Sequence, residues 1–439
     1  MAVPTIAPAN NQVTFDPLMK KPAGRLRWLI VGMLFLATVL NYLDRYSLGF
    51  LAPTLKSQFH WSPEQFGWVL FSFQATYALM NLPSGALMDR IGLRKGYALA
   101  VVWWSFASMG HALARSVVGF GVWRALLGIG EAANFPAAVK SISEWFPQRE
   151  RATATGILNA GANVGAMVAP LILFFLVSRF GWKAAFVATG ALGFFWTAAW
   201  WVLYRDPASH PKLSQEERNW ILQDGPHREA MPSIPWRRLV GERRAWAFIL
   251  GKMFSDPVWA FFLFWLPTFL SDVHHLSTGT QAMVITGIYL AADVGSLGGG
   301  WMSSRLIQLG WPVNRARKTT MAIAAALVPT VAIVGFNNNL YLAVGLCGLA
   351  VAMHQWWSSN LFTTGSDMFP SEAMGTLVGM GQLFGSGLAM FVQPMVGYCI
   401  QHFHSYTPIF VVAAFAYPLA LLCLHVLAPK LDKADLGIA

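Results

Sequence analysis

Long apolar runs separated by short polar stretches dominate the chain. An α-helix needs about 20 residues to cross a bilayer, and twelve runs are close to that length. The predicted spans are 28–52, 64–88, 96–114, 117–141, 152–179, 182–204, 245–271, 280–304, 318–336, 340–364, 372–400 and 407–428. This pattern predicts an all-α membrane protein with twelve transmembrane helices.

One long hydrophilic stretch divides the predicted spans into six and six. Within it, Ser214 is predicted to cap a short amphipathic helix, with Glu217 three residues further on. We interpret the stretch as a linker and not as a catalytic domain, because it contains no visible nucleophile–base set. The predicted organisation is a tail at 1–27, a six-helix bundle at 28–204, the linker at 205–244, a second six-helix bundle at 245–428 and a tail at 429–439.

The two halves resemble each other in sequence. The letters EWFP at 144–147 precede the fifth span, and DMFP at 367–370 precede the eleventh. Aligning these stretches also aligns Asn159 with Gln382. Parallel halves with a site between them at the membrane midplane are typical of secondary transporters. The repeat therefore predicts two pseudo-symmetric bundles.

Composition agrees with a membrane protein. Of 439 residues, 55% are hydrophobic and 12% are charged, whereas soluble domains carry about 25% charged residues. The three cysteines lie in apolar runs without metal-ligand spacing. We expect no metal and no bound cofactor.

The basic residues determine the predicted orientation. The net charge is +11, yet it does not indicate a nucleic-acid partner, because Lys and Arg cluster in alternate loops. The opposite loops hold only Lys56, Arg115, Arg179 and Lys183. The positive-inside rule then places both termini in the cytoplasm. We expect a monomer in the lipid bilayer of a bacterial cytoplasmic (inner) membrane.

Two charged residues, Asp44 and Arg45, lie side by side in the first span. A charge at bilayer depth costs at least ~2.5–3.5 kcal/mol, so an intramembrane ionisable residue suggests a functional site. Arg45 offers a planar fork of donors that suits a carboxylate, and Asp44 can gain or lose a proton. The alternatives are a permanent ion pair of Arg45 with a neighbouring helix and a purely structural role for Asp44.

The fourth span carries Arg124 and Glu131, seven residues apart. Seven steps of about 100° return nearly to the same face, so both side chains are predicted to line one cavity. Glu131 lies among glycine and alanine residues, where a carboxyl group has little solvent and is readily protonated. Arg124 alternatively serves to neutralise Asp44 or Glu131.

Further polar residues lie within the spans. Gln74, Tyr77 and Asn81 form one polar face of the second span and suit sugar hydroxyls, although interhelical hydrogen bonds explain each of them equally well. In the second half, Lys252 and Asp256 have the spacing of a local ion pair.

Two more polar residues within the predicted spans each allow more than one role. His354 is expected to be a satisfied buried histidine rather than a proton relay. Asp293 is a candidate for a further proton or gating site. Either Trp259 or Trp356 is suited to stack on a sugar ring.

The letters GALMDRIGLRK at 85–95 resemble the cytoplasmic loop signature of the major facilitator superfamily. The resemblance implies the fold already predicted and a gating motif. We expect Gly85 to allow close approach of neighbouring helices, and Asp89 to help hold one gate closed. The basic residues alternatively act as topology determinants only. The motif positions are Gly85, Asp89, Arg90, Gly92, Arg94 and Lys95.

Within that superfamily the chain resembles the anion:cation symporter family. The matching stretches are NYLDR at 41–45, RALLGIGEA at 124–132 and WFPQRER at 145–151. The run TGILNAGANVGA at 155–166 resembles bacterial hexuronate transporters. The resemblance implies an importer of a sugar acid anion, such as glucuronate or galacturonate, that works by proton symport through alternating access.

The implied site combines these residues. The substrate-binding candidates are Arg45, Tyr42, Gln74, Tyr77, Asn159, Asn163, Ser359, Asn360 and Gln382. The proton-coupling candidates are Asp44, Glu131 and Arg124. Alternatives are a symporter for another organic anion (galactonate, another aldonate or glucarate), an efflux antiporter and a transporter-like ligand sensor. An enzyme is not expected.

Overall fold

The computed structural model describes residues 24–222 and 236–434, and every regular element in these ranges is helical. The α-helices are α1 Leu26–Phe59, α2 Pro63–Ile91, α3 Leu93–Gly110, α4 Val117–Glu131, α5 Asn134–Trp145, α6 Gln148–Leu203, α7 Gln215–Ile221, α8 Trp236–Val240, α9 Arg243–His274, α10 Thr278–Gln308, α11 Val313–Leu327, α12 Leu340–Met368, α13 Ser371–Phe403 and α14 Thr407–Leu427. Short 3₁₀ helices lie at His111–Leu113, Pro207–Ser209 and Val328–Phe336. The all-α prediction is confirmed.

Every predicted span corresponds to helical structure, but two regions differ in form. The range of α6 contains two helices, because Gly181, with φ of 79° and ψ of 169°, has a non-helical backbone between the predicted fifth and sixth spans. The predicted fourth span comprises α4 and α5, which are separated at Ala132 and Ala133. The ninth span is α11 continued by the 3₁₀ helix Val328–Phe336. Within the described residues, eight helical stretches are long and apolar enough to cross a membrane by length and composition.

The helices pack as two halves. In the first half, α1 packs on α6 and α2 packs on α4. In the second half, α10 packs on α12, and α9 packs on α13 and α14. The halves meet where α1 contacts α9, α2 contacts α13 and α6 contacts α10. The short helices α7 and α8 lie in the predicted linker, part of which is outside the described residues.

Glycines bring the two halves together at the end opposite to the chain termini. A Cβ atom added to Gly67 of α2 would lie 2.6 Å from the carbonyl oxygen of Gln393 in α13. A Cβ atom added to Gly397 of α13 would collide with the carbonyl group of Pro63 in α2. Any larger residue at these two positions would hold α2 and α13 apart.

Polar contacts join the halves at the same end. Lys56 Nζ of α1 lies 3.2 Å from Asp272 Oδ2 of α9, and the Tyr406 hydroxyl donates to the same oxygen at 3.0 Å. The Glu64 amide donates to Gln401 Oε1 at 3.4 Å. Together with the glycine contacts, these bonds close the bundle at this end.

The linker helix α7 is attached to the first half by a buried arginine. Ser214 caps α7 by accepting a hydrogen bond from the Glu217 amide, as predicted. Arg27 is fully buried. Its Nη1 lies 2.9 Å from Glu217 Oε1, and its Nε lies 2.9 Å from Glu150 Oε2. One guanidinium group therefore connects α7 to the beginnings of α1 and α6.

Candidate functional site

The centre of the first half contains a buried ion pair between α1 and α4. Arg45 Nε lies 3.0 Å from Glu131 Oε2, and Arg45 Nη2 donates to Asn41 Oδ1 at 3.1 Å. Glu131 is fully buried, whereas Arg45 keeps 8% of its surface exposed. The arginine therefore retains a small accessible face despite its position within the membrane-spanning bundle.

Three aromatic rings surround the Arg45 guanidinium group. Its Cζ atom lies 5.0 Å from the ring centre of Tyr42, 5.3 Å from that of Phe73 and 4.5 Å from that of Tyr77. A cation within about 6 Å of an aromatic face is attracted by the electron-rich ring. The rings therefore fix the orientation of the guanidinium group.

Glu131 and Arg124 share one face of α4, as their spacing predicts. Arg124 is fully buried, and its Nη1 donates to the backbone carbonyl of Arg45 at 3.2 Å. Within the described residues, Arg124 Nε, Arg124 Nη2 and Glu131 Oε1 are buried without a hydrogen-bond partner. Unpaired buried polar atoms are costly. Glu131 Oε1 can therefore take a proton or accept a hydrogen bond, and the Arg124 N–H groups can donate to a water molecule or a ligand oxygen.

Asp44 lies on a different side of α1 from Arg45. The Ser108 hydroxyl of α3 donates to Asp44 Oδ1 at 2.7 Å. Asp44 is only 2% exposed. Asp44 and Arg45 are adjacent in sequence, but Asp44 is hydrogen-bonded from α3 and Arg45 is paired with α4.

The candidates on α2 and α6 occupy three kinds of position. Gln74 is buried on the same helix as Tyr77. Asn159 is exposed. Asn163 lies between the halves, where its Oδ1 accepts a hydrogen bond from Gln355 Nε2 of α12 at 3.3 Å. Of these three residues, Asn163 is the one that directly connects the first half to the second.

The predicted candidates of the second half are not grouped around Arg45 by any described hydrogen bond. Ser359 donates to the carbonyl of Trp356 at 3.0 Å within α12. Asn360 is fully buried and donates to the carbonyl of Gly299 in α10 at 3.1 Å. Gln382 donates to Ser386 within α13 at 3.1 Å. Asn360 therefore holds two helices together.

The predicted ion pair of α9 is present. Lys252 Nζ lies 3.0 Å from Asp256 Oδ2. His354 is also satisfied, as expected, because its Nδ1 lies 2.6 Å from the Tyr417 hydroxyl and its ring stacks on Trp259 at 4.9 Å. The side chain of His354 is therefore hydrogen-bonded and packed within the second half.

The loop motif forms the junction of α2 and α3. Gly92 separates the two helices with φ of 80°, which favours glycine. The close helix approach expected at Gly85 is not observed, since a Cβ atom there would meet nothing within 4 Å. The side chain of Asp89 lies outside the described residues.

The basic residues of the motif differ in their contacts. Arg94 places its Cζ 4.6 Å from the ring centre of Trp201 and donates to the carbonyl of the same residue. Arg90 and Lys95 are exposed. Arg94 therefore connects the motif to the end of α6.

Two members of the Arg45 environment were absent from the predicted site. Asn41 precedes Arg45 by four residues, a spacing that places both on one helical face. Phe73 likewise precedes Tyr77 by four residues on α2. The four-residue spacing of Asn41 and Arg45 could have been found in the sequence. Phe73 could not, because nothing in the sequence shows that an apolar ring in a transmembrane helix faces a cation.

Comparison with known proteins identifies close relatives. The Major Facilitator Superfamily model matches residues 34–394. The hexuronate transporter of Escherichia coli (strain K12) is 33% identical over 405 residues, which cover 90% of this chain and 92% of the relative. The galacturonate transporter of Dickeya chrysanthemi is 34% identical over 331 residues, covering 74% of this chain and 95% of the relative.

A solved structure supports the fold independently. The crystal structure of a D-xylose-proton symporter superposes with a TM-score of 0.73 at 14% identity, over 92% of this chain and 98% of that chain. This similarity agrees with twelve helices in two pseudo-symmetric bundles. The chain belongs to the Major Facilitator Superfamily and is a membrane transporter, not an enzyme.

Proposed function

We propose that the protein imports a sugar acid, a hexuronate such as glucuronate or galacturonate, by proton symport through alternating access. The observation that supports this proposal best is the ring-enclosed Arg45, held 3.0 Å from Glu131. Arginine binds carboxylates through paired N–H donors. The names of the two bacterial relatives favour a hexuronate over another organic anion.

Competition for Arg45 provides the coupling. Glu131 Oε2 occupies the Nε donor of Arg45, so an ionised Glu131 competes with a substrate carboxylate for the same cation. A proton on Glu131 removes this competition and leaves Arg45 charged. Substrate and proton therefore favour each other's binding, which is the thermodynamic requirement for symport.

Asp44 is the second candidate for a proton, in its separate environment with Ser108. Two protons with one monoanion would move a net charge of +1, driven by roughly 2.3 kcal/mol per 100 mV of membrane potential. One proton would make the loaded step electroneutral. Uptake measured under an imposed potential and under an imposed pH gradient distinguishes the two stoichiometries.

The proposed orientation has both termini in the cytoplasm of a bacterial cell. The end closed by Lys56 and Asp272 then faces the exterior. Alternating access requires these contacts to break while others form at the opposite end. We further propose that one chain is a complete transporter.

The direct test is uptake of radiolabelled galacturonate into proteoliposomes. We expect accumulation driven by a pH gradient, competition by glucuronate and little competition by glucose. Arg45→Lys should weaken apparent affinity by about 10-fold or more, because lysine lacks the planar fork. Arg305→Lys, at an exposed position, is the matched control. Equal competition by glucose and glucuronate would refute the Arg45 site, and uptake insensitive to both pH gradient and potential would refute proton coupling.

A further inference from the structure

Two tyrosines from opposite halves of the protein are in contact directly after Arg45. Tyr46 of α1 and Tyr289 of α10 have ring centres 5.9 Å apart, and the two rings are nearly perpendicular. Tyr46 is fully buried, and Tyr289 is 2% exposed. The proposed proton-coupling and carboxylate-binding steps use neither residue. The contact nevertheless joins the two halves beside the proposed site.

The two rings lie on the side of Arg45 that leads to the closed end of the bundle. Tyr46 comes ten residues before Lys56, so about 15 Å of helix separates it from the closing contact. Helix α10 begins at the same end, and Tyr289 lies eleven residues after its first residue. In the proposed orientation, a substrate from the exterior therefore passes the level of these rings to reach Arg45.

Neighbours in the second half hold the Tyr289 ring in place. Its ring centre lies 5.7 Å from that of Trp259 of α9, and the Trp259 ring stacks on His354 of α12 at 4.9 Å. His354 Nδ1 lies 2.6 Å from the hydroxyl oxygen of Tyr417 in α14. Closely packed side chains have few alternative arrangements. Tyr289 therefore meets Tyr46 as the end of a packed row of rings.

The hydroxyl groups of both tyrosines are buried without a hydrogen-bond partner among the described residues. A phenol hydroxyl can both donate and accept hydrogen bonds. A buried polar group without a partner destabilises the state that buries it, whereas the same group bonds to water when it is exposed. The closed contact between Tyr46 and Tyr289 therefore gains the packing of two rings and loses the hydration of two hydroxyl groups.

We propose that Tyr46 and Tyr289 form an inner gate on the external side of Arg45, and that their unpartnered hydroxyl groups favour its opening. When the halves separate at this level, both hydroxyl groups can bond to water. This gain offsets part of the ring contact that opening removes. The inference rests on the proposed alternating access and orientation, and not on the identity of the substrate.

The test removes each hydroxyl group and keeps its ring. Tyr46→Phe and Tyr289→Phe should each favour the closed state about fivefold, the effect of one unsatisfied hydroxyl group at the lower end of its usual range. Spin labels at the external ends of α2 and α13 would report this effect as a smaller open population in the substrate-free protein. Tyr289→Leu should have a larger open population than Tyr289→Phe, because it also loses the ring contact with Tyr46.

Tyr97→Phe is the matched control. Tyr97 is also fully buried, but its hydroxyl donates to Asn134 Oδ1 at 2.6 Å within the first half. Loss of this hydrogen bond should lower the unfolding temperature and leave the open population unchanged. If Tyr97→Phe reduced the open population as much as the two gate variants do, the effect would not be specific to the gate, and the inference would be overturned.

A transport measurement reports the same equilibrium when the open population is too small for the spin labels. Apparent affinity for external substrate falls in proportion to the open fraction, so half-saturation of galacturonate uptake by intact cells should need about fivefold more substrate in each gate variant.

The outcomes separate this inference from the proposed function. Unchanged label distances and unchanged half-saturation in Tyr46→Phe and Tyr289→Phe would show that the hydroxyl groups have partners in the closed state. That result would overturn the inference and leave the proposed function intact. Absence of any sugar acid uptake by the unmodified protein would refute the proposed function, whereas the expected change in label distances would still support the gate.

Discussion

At the scale of single residues, the two carboxyl oxygens of Glu131 differ in their partners. Its Oε2 binds Arg45, while its Oε1 is buried without a partner among the described residues. An unsatisfied buried oxygen on a charged group is costly. A proton on Glu131 would remove that cost and loosen its hold on Arg45. One side chain can therefore determine whether the arginine is available to an anion.

We predict that Glu131→Gln uncouples transport from the proton gradient. Glutamine imitates the protonated acid but cannot release a proton, so substrate exchange should persist while gradient-driven accumulation is lost. Entrance counterflow and pH-driven uptake in proteoliposomes measure the two activities. Glu216→Gln, at an exposed position on α7, is the control. A Glu131→Gln protein that still concentrates substrate would contradict the prediction.

The sequence predicted which residue types form the site better than it predicted where their side chains point. The seven-residue spacing correctly placed Arg124 and Glu131 on one face, because helical periodicity is local. The direction of Asn360 depends on its neighbours: it bonds the backbone of α10, a contact that nothing in α12 alone specifies. Gly85 was likewise expected to permit a close helix contact, but no neighbour lies within 4 Å of its added Cβ.

At the scale of elements, α7 depends on buried charge for its attachment. Arg27 is fully buried and binds Glu217 of α7 and Glu150 of α6. Removing one partner of a buried ion pair leaves the others uncompensated. The linker helix and the beginnings of α1 and α6 therefore form one structural unit.

We predict that Arg27→Met strongly destabilises the protein. The expected loss is about 3–5 kcal/mol, the usual effect of breaking a buried ion pair, and it should appear as a lower unfolding temperature in detergent. Arg25→Met is the matched control, since Arg25 is exposed two residues away. Equal unfolding temperatures for the two variants would indicate that the buried charges contribute nothing.

The sequence predicted helix boundaries only where the residues themselves change from apolar to polar. Each apolar run predicted as a span coincides with helical structure, because crossing the bilayer demands apolar length. The sequence also separated the fifth and sixth spans where Gly181 interrupts α6. It did not predict the separation of α4 from α5 beside Glu131. That separation depends on packing against neighbouring helices and not on the local sequence alone.

At the scale of the whole molecule, the described conformation is closed at one end. Gly67 and Gly397 let α2 and α13 touch through their backbones there, beside the contact between Lys56 and Asp272. Closely packed interfaces have few intermediate arrangements. The contact therefore acts as one side of a two-state equilibrium.

We predict that Gly397→Ala shifts the protein toward the state open at that end. The added methyl group would collide with the Pro63 carbonyl group, and backbone atoms cannot move aside as a flexible side chain can. Distances between spin labels on α2 and α13 should lengthen, and the transport rate should fall. Gly345→Ala is the control, because its Cβ would meet nothing within 4 Å. Unchanged distances in Gly397→Ala would show that this contact does not hold the end closed.

The two ion pairs of the membrane-spanning helices have an electrical consequence. Arg45 with Glu131, and Lys252 with Asp256, each sum to zero charge. When the empty carrier reorients, these four groups move no net charge through the membrane field. The membrane potential therefore does no work on them during the return, and voltage acts through the charge that substrate and protons add. We expect the current carried by the protein to follow the loaded step.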